Sequence, residues 1–194
     1  MTRIYLIRHG ETEYNQRGCY YGWTDCSLNE KGIIQGRALG KAFETIPLDA
    51  VVSSDLKRAV ETASLLKDCR RVLDHRLREL NFGFWEGKHH QEIMESYKEH
   101  WEQWASDWMH AAPTEGESFH SMYLRIKGCM EELLATYKDK NIAIVSHNGP
   151  LRIITAYLLE LPLEKVWSFD FMQGRYSLLE LWEDHCTIRA INII

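Results

Sequence analysis

The sequence predicts an α/β fold built on a mainly parallel sheet, and three observations carry that reading. Three short apolar runs, Ile4–Ile7, Ala50–Val52 and Ile142–Val145, have the length and composition of buried strands. Each is followed by a polar turn and then by helical spacing, the alternation expected of βαβ units. Two of the runs end in a histidine close to glycine, as Arg8-His9-Gly10 and Ser146-His147-Asn148-Gly149. Ligands of open α/β sheets sit at the carboxyl ends of strands. If the three strands are neighbours, Arg8, His9, Arg58 and His147 converge on one crevice.

The elements follow in order. After the first strand, Gln16–Ser27 is a loop rich in turn formers and aromatics, including Tyr20, Tyr21, Gly22 and Trp23. Asn29 is placed to cap a helix that runs through Leu39, Ala42 and Phe43, which share one apolar face. The second strand leads through Ser53, Ser54 and Asp55 into a helix with Arg58 in its first turn, and Asp55 is its expected cap. The positive end of that helix favours an anion.

The stretch Val72–Glu79 reads as a shaped loop, followed by Leu80, Phe82, Phe84 and Trp85. A carboxylate set among those aromatics loses solvation, which raises its pKa toward what a general acid requires. The competing reading is an exposed Glu79 paired with Arg76 or Arg78. His89–Ala112 reads as helical, with Trp101, Trp104 and Trp108 on one face. That stripe is expected to pack on the sheet as a lid and to wall the mouth of the crevice, where it would stack on an aromatic substrate. Ser118 starts a long helix with a buried face from Phe119 to Tyr137. Pro150 suits the first position of the helix after His147. Leu163–Val166 is a short turn, and Ser177–Trp182 with Thr187–Ile191 forms a closing hairpin at a sheet edge.

Composition narrows the partners. A chain of 194 residues fits a single domain over 1–194, with about 84–117 as a lid-like insertion. A formal charge of −5 argues against nucleic acid as the main partner. The longest apolar runs are too short to cross a bilayer, and Arg8 interrupts any signal-peptide core, so a cytoplasmic protein without a membrane partner is expected. Five scattered cysteines without a C-x-x-C pair point to reduced thiols rather than a disulfide framework or zinc site. His89 and His90 are adjacent, not at i and i+4, and read as surface or pocket-rim residues. The exposed edge strand near the C-terminus is a candidate homodimer contact.

With those residues placed, the chain resembles the histidine phosphatase superfamily, the phosphoglycerate-mutase-like fold. The resemblance rests on R-H-G-x-T-x-x-N at Arg8–Asn15, S-x-L-x-R-A-x-x-T-A at Ser54–Ala63, R-E-L-x-x-G-x-W-E-G at Arg78–Gly87, and S-H-x-G at Ser146–Gly149. The stretch Trp101–Phe119 most resembles the alpha-ribazole phosphatase subfamily, which removes the phosphate from a nucleotide-loop precursor of cobalamin.

The resemblance implies a three-layer fold with helices on both faces of the sheet. It also implies hydrolysis of a small phosphomonoester through a phosphohistidine on His9, with Arg8, Arg58 and His147 around the phosphoryl oxygens. Glu79 is implied as the proton donor to the leaving group, with no metal and no cofactor. Asn15, Tyr21 and Gly22 join Arg8 and Arg58 as implied substrate contacts. A broad-specificity phosphatase stays open as an alternative, and a mutase or a non-catalytic phosphoester-binding relative is less expected.

Overall fold

The computed structural model describes residues 1–194. Its strands are β1 (Thr2–Arg8), β2 (Ala50–Ser53), β3 (Arg70–Leu73), β4 (Asn141–Ser146), β5 (Tyr176–Leu181) and β6 (Cys186–Ile193). Its α-helices are α1 (Glu13–Arg17), α2 (Glu30–Phe43), α3 (Lys57–Ser64), α4 (His90–Ser96), α5 (Lys98–Ser106), α6 (Phe119–Thr136) and α7 (Asn148–Leu158). The six strands form one sheet in the order β3-β2-β4-β1-β5-β6. The first four run parallel, and β5 and β6 close the other edge antiparallel.

The period of two along each strand divides the core into two faces. Ile4 and Leu6 of β1 pack with Ile142, Ile144 and the apolar sides of α6 and α7. Tyr5 and Ile7 turn to the other face and meet Leu39 and Phe43 of α2 with Ala59 and Ala63 of α3. Helices therefore cover both faces of a mainly parallel sheet, as expected for three layers. Asn29 and Ser118 cap α2 and α6, their side chains accepting from Gly32 N and Ser121 N. No helix is long and apolar enough to cross a membrane.

Several local readings are corrected. The stretch expected as a loop from Val72 begins inside β3, and a 3₁₀ turn follows at His75–Leu77. That strand is a mostly exposed edge with two arginines, so it carries neither the apolar run nor the alternation that marks the others. Asp55 caps nothing, because α3 has no side-chain cap and the Asp55 carboxylate is bound by Arg78 at 2.5 and 2.7 Å. The N-cap of α7 is His147, which makes Pro150 its third residue. Leu163–Ser168 is a full 3₁₀ segment.

The helix expected over His89–Ala112 is two short helices broken at Tyr97, and it ends at Ser106. Trp108 therefore lies beyond α5 and leaves the stripe, packing edge-on against Phe119 and Trp167 at 5.0 and 5.1 Å between ring centres. Trp101 and Trp104 instead surround the buried Trp85, each 5.7 Å from it. None of the buried residues of the two sheet cores comes from 84–117.

Candidate active site

The register of the central strands assembles the site. Arg8 pairs with Ser146 across β1 and β4, Ser53 pairs with Val145 across β2 and β4, and His9 N donates to Ser146 O at 3.0 Å. All three strand ends thus open on the same side. A cavity of about 380 Å³ lies there, lined by Arg8, His9, Asn15, Arg58, Glu79 and His147 together with the aromatic rings of Tyr20, Tyr21 and Phe82. Gln173, Gly18 and Cys19 complete the lining.

His9 is 3% exposed, and its tautomer follows from its neighbours. Nδ1 lies 2.7 Å from Gly10 O, a pure acceptor, so Nδ1 carries the proton. Nε2 is left with its lone pair. Burial, reinforced by Arg58 and Arg8, holds this imidazole well below the ordinary value of 6.5, against the bond to Gly10, which acts the other way. A neutral ring with one free lone pair is the nucleophilic form.

Arg58 is 1% exposed and held on three sides. Nη1 donates to Thr24 O at 2.9 Å, Nη2 to Gly22 O at 2.6 Å and Nε to His147 Nδ1 at 3.2 Å, while the guanidinium lies 4.6 Å over the Tyr21 ring. That contact fixes His147 as well. With Nδ1 accepting from Arg58, the proton sits on Nε2, which donates to Ser54 Oγ at 2.9 Å. Burial and then the charge of Arg58 push His147 well below 6.5. His147 is thus a neutral donor rather than a cation, and contact with a phosphoryl oxygen would require its Nε2 to leave Ser54 Oγ. Arg8 is secured by Nη1 on Phe171 O at 2.6 Å, and its buried Nε has no partner.

Asn15 points its amide nitrogen away from a cluster of donors. Its Oδ1 accepts from Thr12 N at 3.1 Å and from the Tyr21 hydroxyl at 2.7 Å, which leaves Nδ2 as the free donor on the cavity side. Tyr21 thus lines the cavity with its ring and spends its hydroxyl on Asn15. Gly22 is not in the lining, and its carbonyl serves Arg58 instead. It must be glycine, because a Cβ there would stand 1.6 Å from Leu80 O.

Glu79 reaches the cavity without either of the environments expected for it. Arg76 pairs with Asp74 and Glu132, and Arg78 with Asp55, so neither holds Glu79. Nor do three aromatics enclose it, since Trp85 is buried in the indole cluster, Phe84 is 55% exposed and only Phe82 lines the same cavity. Its Oε1 accepts from Leu80 N at 2.9 Å and its Oε2 from Gly149 N at 3.1 Å. Behind it, Arg125 donates to the carbonyls of Arg76, Arg78 and Glu79 at 2.6, 2.7 and 2.9 Å, and is itself paired with Glu117.

Gln173 was invisible in the sequence. It precedes β5, and the antiparallel pairing of Tyr176 with Ile7 brings it back over the end of β1. The closing hairpin was the one available signal.

The family model of the histidine phosphatase superfamily, branch 1, matches residues 4–194. The chain belongs to that superfamily. It is 38% identical to an adenosylcobalamin/alpha-ribazole phosphatase of Salmonella typhimurium over 98% of this chain and 96% of the relative. The alpha-ribazole phosphatase of Shigella flexneri superposes with a TM-score of 0.93 at 36% identity, over 98% of this chain and 96% of that one. Phosphoserine phosphatase 1 of Hydrogenobacter thermophilus is 33% identical over 100% of this chain and 93% of its own length.

The neutral histidines have a consequence for stability. Unfolded histidines take up protons near pH 6.5, whereas buried His9 and His147 refuse them until well below that. The unfolded state therefore binds more protons below pH 6.5, so the contribution is fully present above that pH and is lost progressively as the pH falls from there toward the depressed native values. Urea denaturation at about pH 7.5 and about pH 5.5 is expected to give the lower midpoint in acid, with a smaller difference in His9→Ala. An equal midpoint at both values would mean that the rings are protonated in the native state.

Proposed function

We propose that this chain hydrolyses phosphomonoesters through a phosphohistidine on His9, with alpha-ribazole 5′-phosphate as its preferred substrate. The observation that carries the reading is the pinned tautomer of His9, whose free Nε2 stands in a cavity with Arg8 and Arg58. Nε2 attacks phosphorus, the ester P–O bond breaks, and protonated Glu79 gives its proton to the leaving alkoxide. In the second step Glu79 takes a proton from water, the resulting hydroxide forms the new P–O bond, and the P–N bond breaks to release inorganic phosphate and neutral His9.

Arg8, Arg58 and Asn15 Nδ2 meet the equatorial oxygens, where preorganised donors in a dry site stabilise the charge of the transition state. The buried Arg8 Nε is the kind of unsatisfied donor that a phosphoryl oxygen would satisfy. His147 contributes by exchanging Ser54 for the substrate at Nε2. Residues 84–117 back the specificity wall rather than forming it, because Trp101 stands behind Tyr20 at 6.5 Å.

The substrate assignment draws on the relatives of that name and on the wall itself. Tyr20 and Phe82 meet edge-on at 5.2 Å beside the phosphate end of the cavity, apolar surface suited to a planar base. A phosphoserine or phosphoglycerate leaves that surface unused. The test is kcat/KM for alpha-ribazole 5′-phosphate against phosphoserine and 3-phosphoglycerate, all with EDTA. A strong preference for the ribazole ester is expected, and comparable rates for all three would keep the hydrolase and withdraw the substrate. Phe82→Ala is expected to lower kcat/KM for the ribazole ester about tenfold, the scale of one lost base-stacking contact, while leaving phosphoserine nearly unchanged. Equal losses on both substrates would remove the stacking role.

A further inference from the structure

Glu86 lies outside the cavity, yet its carboxylate touches only backbone that frames the site. Oε1 accepts from Gly22 N and Trp23 N at 2.9 Å and from Phe82 N at 3.2 Å. Oε2 accepts from Gly22 N at 2.9 Å and from Thr24 N at 3.1 Å. Four amides from two loops thus converge on one anion, a nest built of oriented N–H dipoles. Residues that give their amides to Glu86 give their carbonyls to Arg58: Gly22 O takes Nη2 and Thr24 O takes Nη1.

We propose that Glu86 is a positioning residue for Arg58, aiming the guanidinium into the cavity through the Gly22–Thr24 loop. The inference rests on the reading that Arg58 binds the phosphoryl group. The loop needs such a clamp, because Trp23 is 39% exposed and water competes for these amides. Without the carboxylate the amides turn to solvent and the carbonyls turn with them. Arg58 keeps its charge and its bond to His147 but loses two of its three fixed directions. Since a phosphoryl group is gripped by the planar fork and not by charge alone, direction is what the site loses.

A double-mutant cycle tests this, with Glu86→Gln, Arg58→Ala and the double variant. Two readouts are taken: binding of inorganic phosphate by calorimetry, and kcat/KM for p-nitrophenyl phosphate with EDTA. Glu86→Gln retains the size of the side chain but replaces one acceptor oxygen by an NH₂ facing N–H donors. It is expected to weaken phosphate and lower kcat/KM about tenfold in the wild-type background, and to do nothing further once Arg58 is alanine. An unchanged Glu86→Gln protein, or the same tenfold loss in both backgrounds, overturns the proposal. Should Glu86→Gln fail to fold, the cycle is run with Glu86→Asp, which keeps the charge one methylene shorter, and the same non-additivity decides. A wild type that binds phosphate but leaves the aryl ester intact refutes the hydrolase reading, while the phosphate cycle still decides whether Glu86 acts through Arg58.

Discussion

His9→Ala is expected to abolish turnover, with a loss in kcat on the order of 10⁴–10⁶, the scale seen when a nucleophile is removed from a concerted set of groups. No other side chain stands ready to replace it. His147 is near, with its ring centre 5.1 Å away, but its Nδ1 lone pair is taken by Arg58 and its Nε2 carries the proton, so neither nitrogen can attack. The measurement pairs steady-state hydrolysis of p-nitrophenyl phosphate with rapid quenching. Wild type should accumulate an acid-labile, alkali-stable phosphoenzyme, and the variant should show none. Near-normal turnover in His9→Ala would rule out the covalent route and leave direct attack by water. Because the His9 ring is neutral in the native state, kcat/KM of the wild type should show no acid limb from this group at or above pH 6.5.

Arg58→Ala is expected to lower kcat by about 10²–10³, the range for deleting one preorganised donor to developing charge. It should also destabilise the fold. Gly22 O and His147 Nδ1 lose a buried donor and Thr24 O a part-buried one, and each buried group left unpaired costs about 1–3 kcal/mol. Kinetics must therefore be read well below the melting temperature. Arg58→Lys separates charge from geometry, because an ammonium cannot satisfy two divergent carbonyls and an imidazole together. Most of the loss should persist in the lysine variant. Full activity in Arg58→Lys would reduce the role of this residue to its net charge.

Much of this site was readable from order along the chain. Strands β1, β2 and β4 announce themselves by apolar runs, and their ends carry Arg8, His9, Arg58 and His147. Parallel strands present the same end to the same side of a sheet, so residues far apart in sequence had to meet once the strands were neighbours. The four motifs, in that order, also identified the superfamily.

What followed from tertiary structure is of a different kind. The neutrality of His9 depends on its burial and on Arg58 and Arg8 beside it, although its tautomer is set locally by the adjacent Gly10 carbonyl, and the neutrality of His147 depends first on its burial and then on an arginine from another strand end. The separation of Trp108 from Trp101 and Trp104 follows from a helix that stops at Ser106, where Trp108 finds Phe119 and Trp167. Gln173 enters the cavity only because β5 returns antiparallel to β1. Glu86 enters the sequence reading only as a motif position with no role attached, and becomes a clamp when two loops bring four amides to it. Local sequence determined which residue types arrive at the strand ends, since backbone periodicity and apolar burial act over a few residues. Charge state, aim and partnership were decided mainly by groups distant in the chain, such as Arg58 beside His9 and His147, because burial and hydrogen bonding act through space.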